Sequence, residues 1–292
     1  MRKRKGYGPG RKYVLRLAAL APLLLLALLT VSPLLFLVSG SFSGKRELFE
    51  ALSPIMQGGE AFAGWRLLPL YPTLRHLVEV LFDSPEFFQM FWNSAKLTVG
   101  VLAGQLLFAT TSAWGLARYR FPGRRQLYLL YIVLMMMPFQ VTMLSQYLVL
   151  NALGLYDSLW SIILPGTFST FSVFLMFRFF EGIPESILEA ARIDGAGEPG
   201  IFLRLGLPLG APGIFSAMVL QFLECWSMIE QPVTFLKTKS LWPLSLYLPE
   251  IRLEQAGAAL CASLLAVLPA LLVFCIGQEY LEQGIMAAAV KE

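Results

Sequence analysis

Glu181-Gly-Ile-Pro-Glu-Ser-Ile-Leu-Glu-Ala-Ala-Arg-Ile-Asp-Gly-Ala-Gly-Glu-Pro-Gly200, continuing Ile201-Phe-Leu-Arg-Leu-Gly-Leu-Pro-Leu209, is hydrophilic and lies between two apolar runs, Leu159–Phe180 and Ala211–Glu230. Each run has the length, about 20 residues, that a helix needs to cross the hydrocarbon core of a bilayer. The segment between them therefore reads as a loop at a membrane surface. Pro184 is placed as a first-turn proline, whose missing N–H costs nothing. Glu185 then suits the positive end of the helix dipole. Glu189 and Arg192 stand three apart and are expected to pair. Gly195 follows Asp194, where a left-handed glycine stops a helix. The expected product is a helix of roughly three turns, too short to persist alone in water.

That helix would show Ile187, Leu188, Ala190 and Ala191 in a charged setting. Glu181, Glu185, Glu189, Asp194 and Glu198 oppose only Arg192 there. Amphipathic helices that lie on lipid headgroups carry Lys and Arg on their polar face, and acidic residues are repelled by an anionic leaflet. Docking of the short helix into a groove on another protein is the better reading.

Working outward, four more apolar runs appear, from about Val14 to Val38, Trp92 to Trp114, Leu127 to Leu148 and Ala256 to Gln278. The chain thus reads as an all-α, polytopic membrane protein with six transmembrane helices. Of its 292 residues, 57% are hydrophobic and 14% charged, against about 45–50% and 25% in soluble domains; mean hydropathy is +0.64. This balance argues against a soluble enzyme, a disordered scaffold or a nucleic-acid binder, although the pI is near 9.0. Cys225, Cys261 and Cys275 sit in apolar runs without metal-ligand spacing and read as buried hydrophobes. The first run follows Arg2, Lys3, Arg4 and Lys5 in the manner of a signal peptide. It is roughly twice an h-region of about 7–15 residues, so a retained span is expected.

Lys and Arg in short loops set orientation. One side carries fourteen: seven in residues 1–16, then Arg118, Arg120, Arg124, Arg125, Arg178, Arg192 and Arg204. The other carries seven in longer segments: Lys45, Arg46, Arg66, Arg75, Lys237, Lys239 and Arg252. Both termini are therefore expected in the cytoplasm. The chain divides into a basic tail (1–13), a first span (14–38), an extracytoplasmic segment (39–87), a five-helix transmembrane domain (88–280) holding the loop at 181–209, and a cytoplasmic tail (281–292). The 39–87 segment is too small for its own core and is read as a cap over the external mouth. His76, the one histidine, reads as an ordinary polar loop residue.

The loop also carries a long fixed pattern: Glu189-Ala190-Ala191, three residues, Gly195-Ala196, and then Leu205-Gly-Leu207-Pro208. This resembles the EAA loop of ABC-importer permeases. Asn93-Ser94, Ala117-Arg118-Tyr-Arg-Phe121-Pro122-Gly123-Arg124 and the ending Gly284-Ile-Met-Ala-Ala-Ala-Val290-Lys291 are similar to the branch that serves carbohydrates and polyols, the maltose-permease type. The resemblance covers residues 10–292 and is strongest in 88–292. In span five the family often has Trp-Asn followed by an acidic residue; Cys225-Trp226-Ser227-Met228-Ile229-Glu230-Gln231-Pro232 keeps the Trp and the Pro and lacks the Asn. The resemblance implies a type I ABC importer transmembrane fold in a bacterial cytoplasmic membrane. It implies a cytoplasmic ABC ATPase dimer that binds ATP and Mg, a second related permease, an extracytoplasmic solute-binding protein and the surrounding lipid as partners. It places ATPase docking on Glu189, Ala190, Ala191, Asp194, Gly195, Ala196, Leu207 and Pro208.

The sequence agrees in what it lacks. No phosphate-cradling G-x-x-x-x-G-K-[ST] occurs; Gly44-Lys45 continues with Arg46. No catalytic signature or metal cluster is visible. A secondary transporter or channel, the alternative, would need coupling-ion residues or an internal repeat, and neither is found. Within the spans, Gln221 and Glu224 are read as lining a polar cavity, because a buried ion is costly, and Trp226 either as a platform for a sugar ring or as a member of an interfacial aromatic belt. The Thr167, Ser169, Thr170 and Ser172 run reads as helix–helix glue, and Lys96 as a snorkelling residue. Pro138, Pro165 and Pro269 are possible kinks.

Overall fold

The computed structural model describes residues 9–56, 62, 64, 66–247 and 255–289, of which 9–19, 55, 56 and 283–289 are described by their backbone alone. Arg2–Lys5, Gly58, Gly59, Arg252, Val290 and Lys291 lie outside them. The described residues are helical with no strand. Five helices are long and apolar enough to cross a membrane, or six if one bent pair counts as a span. They fall into two compact units, one drawn from 1–83 and 249–265, the other from 84–248 and 266–292.

The first unit contains α1 (Pro9–Phe42), α2 (Lys45–Met56), α3 (Arg75–Phe82) and the opening turns of α13 (Ala256–Ala289). The apolar window of α1 has none of its residues buried, as suits a helix solvated by lipid or covered by another subunit. Its far end is tied down by polar side chains. The Ser39 hydroxyl donates to the Arg66 carbonyl at 2.7 Å, and the Phe42 carbonyl accepts from the Thr73 amide at 2.8 Å. His76 departs from the loop reading: it lies on α3, 1% exposed, with Nε2 3.1 Å from the Ser43 carbonyl oxygen. Gly257 makes that burial possible, since a Cβ there would stand 2.2 Å from Nε2.

The second unit is built around α4 (Pro85–Arg118), about 50 Å long at 1.5 Å per residue. Pro85 occupies its first turn, so the helix begins well before Trp92. Helices α7 (Trp160–Thr167), α8 (Thr170–Glu181) and α11 (Leu207–Ser227) pack on it. Small residues set the spacing, as they do where helices approach closely in membranes. A Cβ on Gly104 would lie 2.2 Å from Thr167 Oγ1, and one on Gly210 2.2 Å from Phe180 Cε1.

Three expected spans differ in shape. Leu127–Leu148 is not one straight rod: α5 (Arg124–Met135) and α6 (Phe139–Ala152) meet at 106°. Pro138 removes an N–H and biases Met137 away from helical backbone. The fourth span is α7 followed by α8, interrupted at Phe168 and Ser169. The fifth begins before Ala211: α10 (Glu198–Ile201) runs through a π-helical segment (Phe202–Gly206) into α11. It ends at Ser227, where Met228 is extended (ψ 136). Glu230 therefore starts a separate helix, α12 (Glu230–Phe235). The last helix continues past Gln278 to Ala289, so most of the expected tail is helical.

Candidate functional site

The polar loop folds as α9 (Glu185–Ile193), nine residues long. Pro184 caps it from outside rather than occupying the first helical position. The carboxyl end closes as the sequence implied. Gly195 takes φ +84, its amide bonds the Arg192 carbonyl at 3.1 Å, and the Ala196 amide reaches back to the Ala191 carbonyl at 3.0 Å. This pair of bonds is the Schellman arrangement, which satisfies the last carbonyls of a helix.

With 3.6 residues per turn, Leu188 and Ala191 turn inward. Leu188 is fully buried, in the cluster that holds Trp114, Phe180, Ile183 and Ile201, and Ala191 is half-buried against it. The expectation that Leu188 would be displayed is therefore wrong. The displayed face is Ile187, Glu189, Ala190 and Ile193, with Ile193 86% exposed, followed by exposed Asp194, Gly195 and Ala196. Leu207 is half-buried against the same cluster and Pro208 is exposed at the start of α11. The eight residues taken from the motif thus form one exposed patch from α9 and a second element that anchors the following span.

The pairing of Arg192 also differs. Arg192 bonds Glu185 at 2.9 Å and Glu198 at 2.8 Å, rather than Glu189. Glu198 comes within reach because the chain reverses at Gly195. Glu185 bonds Arg118 as well, at 3.2 Å. Arg118 is the centre of the cluster: its side chain is 7% exposed, it lies 5.7 Å from the Trp114 ring centroid, and it donates to the carbonyls of Phe180 and of Ile183, the latter at 2.7 Å. One guanidinium thus joins the end of α4, the end of α8 and the start of α9. The Arg192 bond holds the Glu185 carboxyl below the usual carboxylate range; desolvation, the next largest effect, opposes it, and the Arg118 charge adds to the lowering.

Gln221 and Glu224 of α11 border a cavity of about 370 Å³. Its other walls are the α5–α6 bend, Thr142 and Gln146 of α6, and the α7–α8 interruption. Two broken helices around one polar space is the arrangement that many transporters use to present backbone groups to a solute. Trp226 does not line it. Its Nε1 donates to the Ala266 carbonyl at 2.9 Å, Phe222 stacks on it at 5.6 Å and 7°, and Phe91 meets it edge-on at 5.6 Å. Phe222 takes one face and the side chain is 8% exposed, so Trp226 offers no platform to a solute in this arrangement.

Four further residues tie the elements around the cavity together, of which Gln105 and Asp157 escaped the sequence reading. Gln105, fully buried, donates to the Gly166 carbonyl at 2.7 Å and accepts from Ser172 at 2.8 Å, bridging α4 to the α7–α8 region. A glutamine inside an apolar run was the available signal. Asn93 and Ser94 hold the loop after α12: Asn93 donates to the Ser240 carbonyl at 2.7 Å, and Ser94 accepts from the Leu244 amide at 2.8 Å. Asp157, at φ 55, accepts from the amides of Lys237 and Thr238 and from the Thr238 hydroxyl at 2.6 Å.

The profile of the family described as "Binding-protein-dependent transport system inner membrane component" matches residues 98–287. The arabinooligosaccharides transport system permease protein of Halalkalibacterium halodurans is 28% identical over 269 residues, covering 91% of this chain and 93% of that protein. Among solved structures, a bacterial ABC transporter involved in import of the acidic polysaccharide alginate superimposes with a TM-score of 0.77 at 22% identity, over 95% of this chain and 99% of that one. A second, the bacterial alginate ABC transporter in complex with its alginate pentasaccharide-bound periplasmic protein, gives 0.60 at 14% identity, over 93% of each chain.

Proposed function

This chain belongs to the family of binding-protein-dependent transport system inner membrane components, and we propose that it drives import by transmitting the closure of a separate ATPase through α9. It is a multi-pass permease subunit of an ABC importer for sugars. The exposed face of Ile187, Glu189, Ala190 and Ile193 and the reversal at Gly195 form a blunt knob suited to a cleft on the ATPase. Two ATPases bind ATP and Mg; this chain binds neither. A second, related permease completes the pathway, and a solute-binding protein delivers the sugar from outside; the alginate transporter of like fold is in complex with an alginate pentasaccharide-bound periplasmic protein. Both termini then lie in the cytoplasm.

The observation that carries this reading is the Arg118 junction. Displacement of α9 cannot stay local when the same guanidinium holds the ends of α4 and α8. Coupling requires an element with two arrangements that both sites bias, and the bend at Pro138 and the interruption at Phe168 supply places where such a bundle yields.

The test is crosslinking. Cys225 and Cys261 are buried and Cys275 is exposed, so a Cys275→Ser background leaves a single new thiol at Ala190→Cys. A bifunctional reagent on membranes should trap a nucleotide-hydrolysing polypeptide, with a yield that changes when ATP is added. If neither Ala190→Cys nor Ile193→Cys traps such a partner while both variants are present in the membrane, the coupling role of α9 is refuted.

A further inference from the structure

We infer that the cavity beside α11 is a charge filter, receiving uncharged polyhydroxyl solutes and turning away those that carry carboxylates; this rests on the importer reading above. The chemistry of the walls points there. Glu224 borders the cavity with no ion pair or hydrogen bond among the described residues, and no Lys, Arg or His shares the lining. Glu230 lies nearby on α12 and is held by Gln140, whose amide donates at 2.8 Å. Both formal charges in the neighbourhood are negative. In a setting with little water an anionic sugar meets repulsion that no local cation offsets.

Two of the neutral lining groups offer acceptors to hydroxyl donors. Thr142 donates its hydroxyl proton to the Phe139 carbonyl at 3.1 Å, so it can only accept from Gln146, whose Nε2 lies 3.1 Å away. That fixes the Gln146 amide and leaves its Oε1 buried without a partner among the described residues. Gln221 behaves alike: 6% exposed, it spends Nε2 on Cys225 Sγ at 3.3 Å and leaves Oε1 without a partner. A buried acceptor without a donor is unfavourable. Both oxygens are covered in this arrangement, and a turn of each side chain delivers them to the cavity. Two amide oxygens and a carboxylate then supply acceptors, beside the hydroxyls of Ser169 and Thr170 and the amide of Gln231, which can also donate. Sugar hydroxyls can supply the donors; ionised uronate groups cannot.

The alginate transporters that share this fold handle an acidic polysaccharide, so the fold itself leaves the charge of the solute open, and these side chains decide it. The experiment uses the purified importer with its accompanying subunits. Dicyclohexylcarbodiimide labels carboxyls in apolar surroundings, and modification of Glu224 is read by peptide mass spectrometry. Neutral malto-, arabino- and galacto-oligosaccharides are the first probes, and oligogalacturonate and oligoalginate the second. At least one neutral probe should slow labelling of Glu224 threefold or more, and the acidic probes at the same concentration should leave the rate unchanged. Gln221→Ala should abolish the protection, with an unchanged gel-filtration profile showing that it folds. Equal protection by acidic probes, or none by any neutral one, overturns the filter. ATP-dependent sugar uptake in liposomes is measured on the same preparation. If uptake persists while protection fails, only the filter is wrong; if uptake never depends on ATP, the importer reading falls and the filter with it.

Discussion

Arg118 and Glu185 stand 67 positions apart and meet at 3.2 Å, the arginine nearly buried and the glutamate half-exposed. The asymmetry says which partner matters. An exposed ion pair is worth about 0–1 kcal/mol, whereas a buried guanidinium that satisfies backbone carbonyls leaves those carbonyls stranded when removed, at about 1–3 kcal/mol each.

Arg118→Met should therefore lower the thermal unfolding midpoint clearly, while Glu185→Gln should barely move it. Arg118→Lys should behave like the methionine variant, because one ammonium cannot match the planar fork that reaches both carbonyls and Glu185. Thermal unfolding in detergent checks the stability ranking. In assembled importer, sugar-stimulated ATP hydrolysis should fall further than basal hydrolysis for both arginine variants.

Gly195→Ala should weaken α9 by about 1–2 kcal/mol through backbone conformation alone. Nothing lies within 4 Å of a Cβ built there, and the φ of +84 is the whole obstacle. Gly195→Asn, which tolerates that backbone better, should cost less. The measurement is recovery of the ATPase with affinity-tagged permease. Equal recovery for glycine, alanine and asparagine would show that the left-handed turn is irrelevant to docking.

His76 predicts an acid-sensitive first unit. Burial lowers its basicity below the ordinary 6.5, outweighing the Glu79 charge and the Ser43 carbonyl, which act in the opposite direction, while Lys45 adds to the lowering. A group that is more easily protonated when unfolded binds more protons there, so stability rises with pH across the window between the two values. Stability should be complete above about 6.5 and fall as the medium is acidified below it. The unfolding midpoint followed from pH 8 to pH 5 should show this slope, and His76→Gln should flatten it.

Two glycines on the long helices should respond oppositely to the same change. Gly210→Ala drives a methyl to 2.2 Å from the ring of fully buried Phe180 and should cost about 1–3 kcal/mol. Gly115→Ala meets nothing within 4 Å and should gain about 0.5–1 kcal/mol from helix propensity. Thermal unfolding of both variants decides it.

Much of this was legible before any coordinates. Pro184 and Gly195 bracket α9 in the sequence, and the apolar runs give five spans, or six with the bent pair, because both signals are local. What failed was set by distant neighbours. Arg192 was paired with Glu189 by helical spacing, yet the chain reverses at Gly195 and brings Glu198 within 2.8 Å. Pro138 marks where a helix loses a bond, but the 106° angle depends on what packs around it. Trp226 looked available because Phe91, which meets its edge, comes from another helix. His76 looked like a loop residue because the space beside Gly257 cannot be read from either position alone.

From Glu198 through the π-helical segment to Ser227 the chain runs as one continuous helix. Inserting a single amino acid between Gly197 and Gly210 would spin everything downstream by about 100°, aiming Gln221 and Glu224 into new surroundings and pulling Gly213 off Phe179. The separation between knob and cavity thus works like the gearing of a shaft: individual teeth can be exchanged, while a change in tooth count disengages the machine.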